Sequence, residues 1–121
     1  MAKNMEISLL FDFYGDMLTQ KQRDVVELYY NDDLSLAEIA ENEGITRQGV
    51  RDSIKRAEAQ LLDMEERLGL ASRFYKMKES FEFIQHAAHD IQQLNSRYGY
   101  SREIEEKAGS ILKLSRQLLE I

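Results

Sequence analysis

Thr46, Arg47, Gln48, Arg51, Asp52, Lys55 and Arg56 crowd into one short segment, 46–56. Their side chains suit the recognition of nucleic acid. An arginine can fork onto guanine O6 and N7, and a glutamine can make paired bonds to adenine, so Arg51 and Gln48 are the candidate base readers. Arg47, Lys55 and Arg56 suit phosphates, which fix register without conveying sequence. Thr46, at a helix start, lies beside backbone amides that favour a phosphate. Asp52 is placed to accept from cytosine or to orient Arg51 or Arg56. Arg56 has a second, structural reading, an ion pair with an acidic residue of the preceding helices.

Other chemistry is thinly represented. His86 and His89 lie three apart with Glu82 one turn earlier, short of the three or four well-supported ligands that zinc sites use. The neighbouring pairs Glu65-Glu66 and Glu105-Glu106 splay apart on a helix and cannot share a proton. No Gly-rich phosphate loop, nucleophile elbow or histidine-plus-nucleophile pattern is present. The chain has no cysteine, which excludes disulfides, thiolate metal sites and cysteine nucleophiles. No catalytic residue, cofactor or metal site is therefore expected, and the protein reads as a non-enzyme. Nor does it show the stacked aromatics of RNA-reading sheets. Tyr29-Tyr30, Phe74-Tyr75 and Phe81-Phe83 fit helix cores better.

The net charge of −6 sits awkwardly with DNA binding until it is located along the chain. Residues 1–45 sum to −7, 46–56 to +3 and 57–121 to −2. The basic segment thus coincides with the candidate readers, and the acids of 1–45 must face away from phosphate. No apolar run approaches the roughly 20 residues of a membrane span, and residues 1–10 do not form a signal peptide. A cytoplasmic address without membrane contact follows by elimination.

The elements that hold these side chains are legible from caps and periodicity. With no proline and six scattered glycines, the pattern is helices joined by short turns. Ile7, Leu10, Phe11 and Tyr14 form a helical stripe that Gly15 ends. Thr19 with Gln22 and Ser35 with Glu38 are capping boxes. They open one helix burying Val25, Leu28 and Tyr29, broken by Asn31-Asp32-Asp33, and a short one burying Leu36, Ile39 and Ala40, which Gly44 ends. Thr46 caps a long helix of roughly 34 Å with a seam of Val50, Ile54, Ala57, Leu61, Met64 and Leu68. Its last two turns project beyond the first core. Ser72 is the expected cap of a fifth helix, with Phe74, Met77, Phe81, Ile84, Ala88, Ile91 and Tyr98 as its seam and Asn95 as a polar step. Gly99 stops that helix, and Ser101 caps a sixth with a broad apolar face from Ile104 to Leu119. The expected fold is all-α: a helix-turn-helix module over 1–68, then an antiparallel helical hairpin over 69–121 packed with it. In this hairpin, heptad spacing over a few turns reads as intramolecular packing rather than a free coiled coil.

A helix-turn-helix needs a short helix, a tight turn tolerating positive φ and an outward-facing second helix. Ser35 to Leu61 supplies these through Ile39, the small Ala40 at the crossing, Gly44, Ile45, Val50 and Ile54. The stretch Leu18 to Leu61 resembles region 4 of sigma factors, through Leu18-Thr19, Arg23, Val25, Leu28, Tyr29, Ser35-Leu36, Glu38-Ile39-Ala40, Gly44-Ile45-Thr46, Val50-Arg51, Arg56-Ala57 and Leu61. Such modules are commonly grouped with winged-helix-like folds. With 17 residues ahead of Leu18, there is no room for a promoter-melting domain, and a complete sigma factor is not expected. The whole chain, from MEISLLFDFYGDMLTQKQRDVVELYYNDDLSLAEIAE through GITRQGVRDSIKRAE, resembles the YlxM family of bacterial sigma-region-4-like proteins. That resemblance implies a DNA-binding regulator linked to the signal recognition particle pathway.

Few cations make one module a weak binder at physiological salt. Dimerisation would set two reading helices about one DNA turn apart, and the hairpin is the candidate contact, so a homodimer on double-stranded DNA is the leading expectation. The alternative is a non-catalytic protein that uses the same fold to bind the signal recognition particle or its RNA, which the acidic balance favours.

Overall fold

The computed structural model describes residues 1–120. Six α-helices run in order: α1 (Met5–Tyr14), α2 (Gln20–Val26), α3 (Leu36–Glu43), α4 (Arg47–Leu68), α5 (Leu70–Arg97) and α6 (Arg102–Leu119). A 3₁₀ turn, Gly15–Met17, joins α1 to α2, and α2 continues into a wider π turn, Glu27–Asn31. The all-α helix-turn-helix architecture with a following hairpin is thus present. Among the described residues there is no strand, so the module lacks the wing of a winged helix.

The chain divides into two compact units, Met1–Ala71 and Ser72–Ile121. In the first, α4 is the spine. One face of it sends Val50 and Ile54 into a cluster with Val25, Tyr29, Ile39 and Ala40, and its next turns send Ala57 and Leu61 into a cluster with Ile7, Leu10, Phe11, Tyr14, Leu18 and Val26. Tyr30 packs against both clusters. Burying a Val, Leu, Ile or Phe side chain contributes about 1.5–3 kcal/mol, so this continuous stripe fixes where the exposed side of α4 must point.

The caps act as their sequence implies. Thr19 and Ser35 each complete a reciprocal capping box with Gln22 and Glu38. The Thr46 side chain accepts from the Gly49 N–H at 2.9 Å. Gly44 ends α3 in the left-handed region (φ 67°), and its N–H and that of Ile45 both return to the Ala40 carbonyl.

Two expectations about the junction of α4 and α5 need correction. Leu68 is 55 % exposed rather than the end of a buried seam, while Met64 is half-buried. Ser72 does not cap α5. Gly69 closes α4 at φ 63° and α5 starts at once, with Ala71 donating its N–H to Glu65 Oε1 at 3.0 Å. That carboxylate also accepts from Tyr14 Oη at 2.7 Å, so it ties α1, α4 and the start of α5 together. The π turn is a feature that periodicity did not foresee. The second helix does break at Asn31-Asp32-Asp33, but only after widening over Glu27–Asn31, the Asp32 N–H reaching back to the Glu27 carbonyl at 3.1 Å and Asp33 turning at φ 56°.

In the second unit, α5 and α6 form an antiparallel hairpin. Asn95 holds the turn: its Nδ2 donates to the Ser101 carbonyl and its Oδ1 accepts the Ser101 N–H, both at 2.9 Å. At the other end Phe74, Met77 and Phe81 line a cleft with Leu118 and Leu119. Ala88, Asn95, Ala108, Leu112 and Ser115 are buried between the helices. Met77, Ile84, Ile91 and Tyr98, assigned from sequence to the α5 seam, are instead exposed, as is Phe83.

Candidate nucleic-acid interface

The 46–56 segment lies on one presented surface. With Val50, Ile54 and Ala57 fixed inward, Gln48, Lys55 and Asp52 stand directly opposite them, Arg47 and Arg51 fall on one flank, and Arg56 falls on the other. Thr46 and all six of these side chains are exposed. Arg47 and Arg51 have no ion pair among the described residues, so their guanidinium donors are available to a ligand. No proline interrupts the helix, and the Thr46 cap satisfies an orphan amide, so the readers ride on an ordered first turn.

Two details depart from the sequence reading. Asp52 orients neither arginine; it accepts from Gln48 Nε2 at 2.9 Å, one turn away. Paired bonds from Gln48 to adenine therefore require it to release Asp52. Arg56 does not brace the fold by an ion pair. It lines a shallow cleft with Thr19, Lys21, Gln22, Gly49 and Ser53. Lys55 reaches Glu58 at only 3.9 Å, a long contact on a half-exposed lysine that water and salt screen.

Lys21 is the residue that sequence reasoning missed. It sits in the first turn of α2 and shares the cleft with Arg56, so two cations from different helices border the same hollow. Periodicity has nothing to say about an exposed lysine. Only the packing of α2 across α4 brings it there.

The acidic residues of 1–45 are partly spoken for. Asp33 pairs with Lys3, Glu38 is held by the Ser35 cap, and Asp24 accepts from Gln20 at 2.8 Å. The two Ser35 hydrogen bonds hold the Glu38 carboxyl below its ordinary range, the backbone bond more than the hydroxyl. Tyr30, half-buried against both clusters and bonded to the Glu58 carboxylate, is pushed up to about 12, burial first and the carboxylate second.

A family model described as "Putative helix-turn-helix protein, YlxM / p13 like", UPF0122, matches residues 1–99. The chain belongs to this family. A UPF0122 protein of Thermoanaerobacter sp. strain X514 is 45% identical over 107 residues, covering 83% of this chain and 92% of its own. Another, from Clostridium novyi strain NT, is 35% identical over 113 residues, covering 93% and 98%. A third, from Desulforamulus reducens, is 52% identical over 75 residues, and the match spans 64% of its length. The UPF0122 match covers the whole helix-turn-helix and all of α5. Among the described residues no group of three histidine, aspartate or glutamate side chains is placed to hold a metal ion. No helix among them is long and apolar enough to cross a membrane.

Proposed function

We propose that this UPF0122 protein binds double-stranded DNA as a regulator, laying the first turns of α4 in the major groove. The observation that carries the reading is the exposed, unpaired Arg47 and Arg51 beside Gln48 on a helix whose opposite side is pinned in the core. In this arrangement Arg51 and Gln48 read base edges, while Thr46, Arg47 and Lys55 hold phosphates. Asp52 reads cytosine or holds Gln48 until a target base displaces it. Lys21 and Arg56, which line one cleft together with Asp52, hold a further phosphate from two helices and set the angle at which α4 enters. The test is a binding titration on a selected duplex. Arg51→Ala should cost about 1–3 kcal/mol and relax preference at one base pair, whereas Lys21→Ala should weaken all duplexes alike and lower the salt slope by about 1.

The competing reading, a protein of the signal recognition particle pathway that binds the particle or its RNA, rests on the acidity of residues 1–45 and on the family resemblance. Under it, duplex affinity is negligible in the native protein and Arg51→Ala is silent.

A further inference from the structure

The hairpin buries little of its own apolar content. Met77, Ile84, Ile91, Leu94 and Tyr98 on α5, and Ile104, Ile111, Leu114 and Leu118 on α6, are 40–77 % exposed. Helical geometry places them together. The positions α5 turns toward α6 include Phe74, Phe81, Ala88 and Asn95; adding three to each gives Met77, Ile84, Ile91 and Tyr98, a row rotated by about 60°. On α6, Ser101, Ala108 and Ser115 face α5, and adding three gives Ile104, Ile111 and Leu118. Because the two helices are antiparallel, the same rotation carries both rows to the same side of the hairpin. The opposite side bears Glu82, His89, Arg102 and Arg116.

We infer that this side of the hairpin is where a second copy of the chain docks, hairpin against hairpin, to make a four-helix bundle. Three features select that occupant. The α5 row is a second complete heptad seam: positions 77, 80, 84, 87, 91, 94 and 98 are Met, Ser, Ile, Ala, Ile, Leu and Tyr, alternating three and four apart with no charge. A seam of that rhythm is shaped for another helix of the same rhythm, and the other hairpin supplies one. The α6 row contains one cation, Lys107, which pairs with Glu103 at 3.2 Å on its own helix. Lastly, the nine side chains leave on the order of 900 Å² in water, above the largest patch of an ordinary monomer and close to the ~800 Å² per partner of a standard interface. The α1 stripe of Met5 and Leu9 is exposed too, but a ten-residue helix is about 15 Å long against roughly 32 Å for the α5 row. This inference does not depend on DNA binding, and it is tested without DNA.

Sedimentation equilibrium of the full chain, from micromolar to about a hundred micromolar, should give twice the chain mass. Ile91→Glu with Ile111→Glu should raise the dimer dissociation constant at least about a hundredfold, because each carboxylate would be buried unpaired. The absence of native cysteine permits a second readout that does not rely on that variant folding. Single cysteines at Met77, Ile84, Ile91 and Tyr98 should include positions that oxidise to covalent dimers, and cysteines at Glu82, His89 and Arg116 should not. A monomer at every concentration overturns the proposal. So does a dimer that survives the double glutamate change, or one abolished by Met5→Glu with Leu9→Glu, which would assign the contact to the first unit.

Discussion

Glu38 fixes the start of α3 and Tyr30 ties the π turn to α4 through Glu58, and each gives a pH signature. Glu38 is held below its ordinary 4.5 in the folded chain, so its contribution is present above that value and is lost as pH falls through the lowered folded one. Glu38→Gln should remove this acid-side dependence, whereas Ser35→Ala, which keeps the backbone donor, should only weaken it while costing about 1 kcal/mol at neutral pH, measured by denaturant titration across pH 3 to 6. Tyr30 has the opposite sign. Its phenol is raised from 10.0 to about 12, so the unfolded chain ionises first and stability drains away as pH climbs between those values. Tyr30→Phe should flatten that alkaline loss. A slope unchanged in the variant would mean that Tyr30 does not govern it. Among the proposed readers, Gln48 is the most constrained because Asp52 already holds its amide. Asp52→Ala should therefore raise affinity for duplexes where Gln48 meets adenine and lower it where cytosine lies opposite Asp52.

At the scale of elements, the turn between α3 and α4 sets the angle of the reading surface. Gly44 sits at φ 67° with nothing within 4 Å of where a Cβ would stand, so the cost of a side chain there is conformational alone. Gly44→Ala should lose about 1–2 kcal/mol by chemical denaturation without altering the base preference of whatever folds. Glu65 is the comparable joint at the far end of α4. Glu65→Ala strands the Tyr14 hydroxyl and the Ala71 N–H, which should cost about 1–3 kcal/mol and quicken amide exchange at Ala71 ahead of the rest of α5. The first joint was legible in the sequence, because a capping box, a glycine and a threonine cap are local signals. The second was not. Nothing local marks Glu65 as the acceptor for a helix that begins after Gly69, so Ser72 was the natural choice of cap. The π turn escaped for a similar reason: the packing of Tyr29 and Tyr30 against the two clusters is not a local signal, although the stop at Asn31-Asp32-Asp33 that follows it was legible. In the hairpin, periodicity found a seam but merged two adjacent rows, assigning Met77, Ile84 and Ile91 to a core that small residues at Ala88, Ala108 and Ser115 keep narrow.

For the whole molecule, the two units divide the work proposed for it. The first presents Arg47, Gln48 and Arg51 from a buried spine. The second is a hairpin with one polar and one apolar side. A single module with so few cations binds duplex weakly, and pairing hairpins turns the second contact into an intramolecular one. Disrupting the pair by Ile91→Glu with Ile111→Glu should then weaken binding to a two-site duplex by at least tenfold while leaving a single half-site almost unaffected. Equal losses on both duplexes would mean that the hairpin supports the fold of the first unit rather than the pairing of copies.

The central claim, that the α4 surface reads double-stranded DNA, is tested most directly by offering the protein everything at once. Purified chain would be mixed with fragmented genomic DNA and total cellular RNA at roughly physiological salt, and the retained nucleic acid sequenced. A recurring duplex motif that disappears with Arg51→Ala is the predicted result. Enrichment of one structured RNA, or retention of nothing, would contradict it.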